Sequence, residues 1–316
     1  MLAYIIRRLL LLIPVLLIVG VIVFTLMHLT PGDPASVMLG RDATAEQKDA
    51  LRERLGLNEP IPIQFINWFG SALRLDFGDS LFLGKPVTEA LLDRAEPTVL
   101  LAFYSFTLAI ILAIPAGVIA AVRANSVLDR LLMVVSISGV AIPSFFFGIL
   151  LILLFAVVLG WLPSGGYVDF GEDPIEHFKY MILPTLTLGF SVAGLLARLV
   201  RSTMLDVLNE DYVRTAYSKG LAERHVVLLH AFRNALIPVL TVVGVTLAGL
   251  LGGAVVIENV FNIPGMGRLL VQSVTRRDIP MVQGAVMTVA AIEVLIMLLI
   301  DLLYVYVDPR IRYGAN

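Results

Sequence analysis

Residues Thr98 to Val122 read TVLLAFYSFTLAIILAIPAGVIAAV, a run without one charged side chain. A helix crosses roughly 30 Å of hydrocarbon with about 20 apolar residues, so this run is long enough to span a bilayer. Its apolar residues follow one another without the period of 3.6 or 2 that would leave a polar face for water. Comparable runs stand at Leu9 to Leu29, Leu131 to Leu159, Tyr180 to Ala197, Ala235 to Ile257 and Met281 to Val307. The 316 residues are 58% hydrophobic and 15% charged, with a mean hydropathy of +0.90. That composition excludes a water-soluble globule. The chain reads as an all-α polytopic membrane protein with six transmembrane helices.

Orientation follows from Lys and Arg in the short loops, because long segments translocate whatever their charge. With the amino terminus inside, Arg7, Arg8, Arg123, Arg130, Arg198, Arg201, Arg214, Lys219, Arg224, Arg233, Arg310 and Arg312 all fall on the inner side. The short outer loops hold Lys179, Arg268, Arg276 and Arg277. Both termini are therefore expected in the cytoplasm. The first run exits into Thr30-Pro31-Gly32-Asp33-Pro34 rather than a small-x-small cleavage site, and reads as an uncleaved helix. Two regions follow: 1-97, the first helix plus a long extracytoplasmic segment with short helices, and 98-316, a five-helix core with a cytoplasmic loop at 202-235. Within the long segment, Thr44-Ala45-Glu46-Gln47 has capping-box spacing and Gly56 closes the helical stretch Lys48 to Leu55. Gln64 to Leu75 and Val87 to Ala95 read as amphipathic pieces against the bundle.

Several chemistries are excluded. The chain has no cysteine, hence no disulfide, thiolate metal site or cysteine nucleophile. Gly78 to Lys85 contains a Gly-Lys pair, but its spacing is wrong and Pro86 stands where a phosphate-binding loop needs Ser or Thr. Gly189-Phe190-Ser191-Val192-Ala193 lies inside a membrane run, not at a strand-to-helix turn. His28, His177, His225 and His230 form no metal-ligand pattern and read as interfacial or surface residues. A net charge of −2 without a basic tract gives no reason to expect nucleic acid.

The segment Ser202 to Ala235 is long, mixed in charge and helical in pattern, yet stands between two membrane runs. Val213, Ala216, Tyr217 and Leu221 share one side, and Val227, Leu228, Leu229 and Phe232 surround His230 and Arg233. It reads either as a helix at the membrane surface or as a docking element for another protein, with Gly220 breaking the helix or admitting a partner backbone. Pro238 then marks the return into the bilayer.

Arg214-Thr215-Ala216-Tyr217-Ser218-Lys219-Gly220 with His230-Ala231-Phe232-Arg233-Asn234-Ala235-Leu236-Ile237-Pro238 resembles the EAA loop of ABC importer permeases, in the form used by the dipeptide and oligopeptide branch. Arg214 and Thr215 stand where the broad pattern has Glu and Ala. The same family is resembled by Arg7-Arg8 with its Pro31 to Pro34 exit, by Phe261-Asn262-Ile263-Pro264-Gly265-Met266-Gly267-Arg268 with Arg277-Asp278, and by Asp301-Leu302-Leu303-Tyr304 with Asp308-Pro309-Arg310-Ile311-Arg312. The resemblance implies a type I ABC importer (MetI-like) permease fold in a bacterial inner membrane. It implies as partners a paralogous permease, two cytoplasmic ABC ATPases, an extracytoplasmic solute-binding protein and the lipid bilayer. No catalytic residue, metal or cofactor is implied for this chain; ATP and Mg belong to the ATPases. Coupling is implied for Arg214, Thr215, Ala216, Lys219, Gly220, Leu221, Arg224, His230, Arg233, Asn234 and Pro238. The implied cargo is a di- or oligopeptide, with nickel chelates, glutathione and oligosaccharides carried by similar systems.

Candidates for the path or for helix packing come from the residues themselves. Gly249 and Gly253 lie four apart on a small-residue face, which suits packing within the chain or against the partner permease. Pro143 interrupts its run as a hinge or a static kink. Glu293 sits in mid-helix, where a carboxylate costs about 2.5 to 3.5 kcal/mol, and reads as a cavity-lining or neutral group. Asp301 reads as a structural partner for an inner basic residue; relatives carry Asn one turn earlier, where this chain has Met297. A self-powered secondary transporter is the alternative, and it would show internal repeats and several midplane ionisable residues.

Overall fold

The computed structural model describes residues 2–29, 36, 44–54 and 56–307. Pro31 to Pro34 and Asp308 to Arg312 lie outside them, as do the side chains of Arg7, Arg8 and Asp301. In chain order the helices are α1 (Leu2–Leu29), α2 (Ala45–Arg54), α3 (Ile61–Ala72), α4 (Val87–Leu92), α5 (Ala95–Val122), α6 (Val127–Ala141), α7 (Ser144–Leu151, continued as a π-helix over Ile152–Val158), α8 (Pro174–Leu208), α9 (Asp211–Ser218), α10 (Glu223–His225, continued as a π-helix over Val226–Ala231), α11 (Phe232–Val260), α12 (Met266–Arg276) and α13 (Ile279–Val307). The described residues fall into two compact units. One lies within Met1–Glu96 and Arg268–Val294, the other within Pro97–Gly267 and Leu295–Asn316.

In the first unit, local chemistry fixes the helix ends. The Gln47 N–H donates to the Thr44 hydroxyl at 3.3 Å and the Thr44 N–H to Gln47 Oε1 at 3.0 Å, a reciprocal cap on α2. Gly56, at φ +65°, closes the other end, with the Leu57 N–H reaching back to the Arg52 carbonyl at 2.9 Å. At the head of α13 the buried Asp278 carboxylate accepts from the Met281 N–H at 3.4 Å and from the Ser80 hydroxyl at 2.5 Å. One carboxylate thus satisfies a helix terminus and pins a distant turn.

The second unit is organised around α8, against which α5, α6, α7 and α11 pack. Close crossings occur at glycines, because only a missing Cβ lets backbones approach so near. A Cβ on Gly117 of α5 would lie 2.7 Å from the Ala197 carbonyl oxygen, one on Gly189 of α8 would lie 3.0 Å from that of Ser105, and one on Gly194 would strike the carbonyl of Ser136. One core gathers Leu101, Met181, Leu183, Leu188, Leu250, Ile257, Phe261 and Ile263. His177 belongs to this interior rather than to a surface. It is fully buried, with Nδ1 donating to the Val168 carbonyl at 2.7 Å and Nε2 facing the Tyr104 hydroxyl at 3.2 Å, edge-on to Tyr167, Phe170 and Phe178. Both ring nitrogens therefore have a partner in the interior.

Among the described residues four helices are long and apolar enough to cross a membrane, and α6 with α7 makes a fifth if the pair is one broken span. The described side chains of α1 add a shorter apolar stretch, Ile13–Thr25. The run Leu131 to Leu159, continuous in the sequence, is two arms bent by 104° at Ile142-Pro143. Proline lacks the N–H that would continue the helix and forces the residue before it out of the helical region; Ile142 is extended, at φ −84° and ψ 123°. Pro115, Pro184 and Pro238, by contrast, stand inside unbroken helices. The fourth run also differs from expectation, since α8 continues to Leu208 and carries Arg198 and Arg201 on the helix itself. The segment expected to begin at Ser202 therefore leaves the helix only after Leu208.

Candidate functional site

Between α8 and α11 the chain folds into a compact knuckle. Its first half is α9, a two-turn helix whose Val213 is fully buried and whose Ala216 is nearly so; both pack with Val226 from the second half, and with Val207 and Leu208 of α8. Burying a valine is worth about 1.5–3 kcal/mol, enough to hold a short segment that would not stay helical alone. The small size of Ala216 is explained by this packing within the chain. Gly220 ends the helix at φ +78°, its N–H bonded to the Tyr217 carbonyl at 2.9 Å and the Leu221 N–H to that of Ala216 at 3.4 Å. That pair of bonds is the Schellman arrangement, which needs the left-handed conformation glycine adopts without strain. Among the described residues, its two chain neighbours apart, no heavy atom lies within 4 Å of where a Gly220 Cβ would stand.

The second half is fused to the bundle. Val227, Ala231, Ala235 and Val239 are buried against Ala121 of α5 and Val200 and Met204 of α8. Asn234 ties the halves together, its amide donating to the Tyr212 hydroxyl at 2.9 Å and to the His230 carbonyl at 2.9 Å. Any force on the knuckle therefore reaches two membrane helices through close-packed side chains. Its outer surface carries Arg214, Thr215, Lys219, Leu221, Arg224, Arg233, Asn234 and Pro238, all exposed, with His230 half-buried. Among them stand Tyr217 at 43%, Leu228 at 60% and Leu229 at 57% exposure. The Arg214 guanidinium sits 3.6 Å from Asp211, an exposed pair worth 0–1 kcal/mol at roughly the median. Tyr217 and Leu221, expected on one side with Val213 and Ala216, face outward instead. Sequence reading missed Tyr212, whose tie to Asn234 joins segments with no common periodicity.

Two further polar clusters support this unit. Asp129 is buried at the head of α6 and takes a bidentate ion pair from Arg201 of α8, at 2.6 and 2.7 Å, plus the Asn125 N–H at 2.9 Å. Beyond the far end of α11 runs the stretch Phe261 to Gly267, and its geometry is explained by Glu258, a carboxylate with no exposure. The Thr98 hydroxyl donates to it at 2.6 Å and accepts from the Met266 N–H at 2.9 Å, while a Cβ on Gly265 would overlap the carboxylate. Sequence reading ended this span at Ile257 and so left Glu258 in a loop; a lone acid closing an apolar run was the available signal. We expect Gly265→Ala to cost about 1–3 kcal/mol of stability by overpacking. Thermal unfolding in detergent should show it, with partial recovery in Gly265→Ala/Glu258→Ala; an unchanged midpoint in the single variant would refute this packing.

The path candidates are placed as follows. Gly253 meets Leu188, its added Cβ lying 3.0 Å away, and Gly244 meets Ile300, whereas a Cβ added to Gly249 or Gly252 would meet nothing within 4 Å among the described residues outside its own helix backbone and chain neighbours. Pro143 sits at the bend of α6 and α7. Glu293 stands midway along α13, half-buried, and no hydrogen bond or ion pair reaches it among the described residues. The described residues also contain no cluster of three or more His, Asp or Glu able to hold a metal ion.

Residues 113–313 match the family described as "Binding-protein-dependent transport system inner membrane component", and residues 1–102 match the amino-terminal part of such components. The chain belongs to this permease family. The permease is 46% identical over 313 residues to a glutathione transport system permease of Escherichia coli, covering 99% of this chain and 100% of that one. It is 43% identical over 310 residues to a probable peptide ABC transporter permease of Sinorhizobium fredii, covering 98% and 99%. A putative peptide transport system permease of Brucella abortus is 44% identical over 99% of this chain and 100% of that one. In structure the permease resembles the inward-facing MetNI methionine ABC transporter, with a TM-score of 0.56 at 19% identity, covering 69% of this chain and 96% of the other. That likeness establishes the MetI-like fold. The permease is thus a multi-pass inner-membrane component of a binding-protein-dependent transport system.

Proposed function

We propose that the permease forms half of the translocation path of an importer for di- or oligopeptides, glutathione among them, and that separate cytoplasmic ATPases drive it through the knuckle. The observation that carries this reading is the knuckle's division of labour. One side is fused to α5 and α8, while the other presents cations among Tyr217, Leu221, Leu228 and Leu229, which the described residues leave exposed. A groove on an ATPase would cover that surface, and closure of an ATPase pair would swing the bundle between inward- and outward-facing states. ATP and Mg belong to those subunits, and this chain holds no cofactor. The cargo is inferred from what the peptide and glutathione relatives are named for. A paralogous permease completes the path, with exposed Gly249 and Gly252 facing it, and a solute-binding protein delivers cargo from outside. Glu293 faces the path or the second permease.

This reading requires six spans with both termini cytoplasmic. In intact cells, Asp49→Cys should react with an impermeant maleimide added outside and Ser218→Cys should not, in a chain with no other cysteine. The reverse pattern would invert the topology. Purification should bring down two ATPases and a paralogous permease, and peptide uptake should need ATP and the binding protein. Uptake by this chain alone, driven by an ion gradient, would establish a secondary transporter instead.

A further inference from the structure

The helix α3 has two apolar faces, and only one is covered. Phe65, Trp68, Phe69 and Ala72 share one side of it, and the three aromatic rings pack on α1. Phe65 and Trp68 meet Phe24 at ring separations of 5.4 and 5.7 Å, and Phe69 fills the space above Gly20, where a Cβ would come within 2.9 Å of its ring. Gln64 anchors the near end, donating to the Leu57 and Glu59 carbonyls at 3.0 and 2.7 Å and lying 3.3 Å from His28. Ile63 lies on the opposite side next to exposed Asn67, while Ile66 and the C-capping Leu73, seven residues apart, line the flank between the two sides; the three apolar residues are 43%, 65% and 62% exposed. No charged residue occurs between Glu59 and Arg74. A helix apolar on both sides is stable only when both are out of water.

We propose that this second face of α3 is covered by lipid: the helix inserts into the leaflet where α1 ends, with Ile63, Ile66 and Leu73 against acyl chains. The inference rests on reading α1 as a membrane span. The depth is set by that neighbour. Contacts run back along α1 from His28 through Phe24 to Gly20, roughly 12 Å along its axis, so α3 dips beside a helix already in the bilayer rather than resting above it. The backbone permits this. At the turn after α3 the N–H groups of Leu73, Arg74, Leu75 and Asp76 are all bonded to carbonyls of Phe69, Ser71, Ala72 and Ser71, leaving none of these donors bare to hydrocarbon. The long stem of Arg74 lets its guanidinium reach the headgroups.

Nitroxide labels at single cysteines in the full chain, reconstituted in vesicles of phosphatidylcholine and phosphatidylglycerol, test this by collision with oxygen, which concentrates in lipid, and with a water-soluble nickel chelate. Labels at Ile66→Cys and Leu73→Cys should collide more with oxygen than with nickel, and a label at exposed Asn58→Cys should invert that ratio. Nickel access at 66 and 73 would overturn the proposal, as would exclusion of both reagents, which means a protein covers the face. A label at Ile18→Cys, exposed on α1, separates the two failures. If it too is nickel-accessible, α1 is not a span, and the proposal falls with that reading rather than by itself.

Discussion

Gly220→Trp is expected to abolish uptake while the permease still inserts and assembles with its partners. Two effects combine. A non-glycine residue held at φ +78° costs about 1–2 kcal/mol, which loosens the end of α9. The indole also projects into space that the described residues leave open around Gly220 and that the proposed ATPase groove would occupy. Gly220→Asn separates the two, because asparagine tolerates the left-handed conformation yet still carries a side chain. ATP hydrolysis by the assembled complex, with and without loaded binding protein, should lose its stimulation in the Trp variant and keep part of it in the Asn variant. A Trp variant that hydrolyses and transports normally would reduce the knuckle to a surface helix.

Removing Arg201 should be the most damaging single change to stability. Asp129 has a side chain only 3% exposed, and its two oxygens are taken by Arg201 at 2.6 and 2.7 Å. Arg201→Met strands that carboxylate. Breaking a buried pair on one side costs about 3–5 kcal/mol, and the lower figure applies because a quarter of the Arg201 side chain meets solvent. Adding Asp129→Asn should restore much of the loss, since the amide oxygen can still accept from the Asn125 N–H while the stranded charge is gone. Thermal midpoints of the two singles and the double, measured in detergent, decide the point. A double variant no more stable than Arg201→Met alone would mean that the charge was never the problem.

Elements whose cause is local were legible in the sequence. The capping box at Thr44 and the helix-ending Gly56 and Gly220 were readable because the residues that make each bond lie within five positions of one another. The apolar runs were readable because hydrocarbon thickness sets their length. A proline marks where a run can break but not by how much, so the interruption of Leu131 to Leu159 at Pro143 was legible while its 104° angle was not. Nor does charge mark where a helix leaves its path; Arg198 and Arg201 signalled a loop, yet α8 carries both because a helix continues past the apolar boundary. The knuckle's position was legible from its motif. Its inward and outward faces were not, since Tyr217 and Ala216 are neighbours in sequence and only packing against Val226 decides which one is buried. The ties from Asp129 to Arg201 and from Thr98 to Glu258 join residues 72 and 160 positions apart, beyond the reach of any periodicity.

The unbroken course of α8 makes it a lever. Its middle is gripped where Gly189 and Gly194 meet the backbones of Ser105 and Ser136, leaving roughly 21 Å of helix from Gly194 towards the knuckle and roughly 30 Å towards Pro174. A rigid rod turning about that grip carries its longer arm farther, by roughly the ratio of those lengths. On the proposed topology, a small stroke delivered beneath the membrane would emerge amplified and reversed in direction at the end clasped around His177, beside the entrance that faces the binding protein. The fulcrum costs the cell nothing more than three missing methyl groups, at Gly117, Gly189 and Gly194. A methyl restored at any of them would press on the neighbouring helix and move the fulcrum itself.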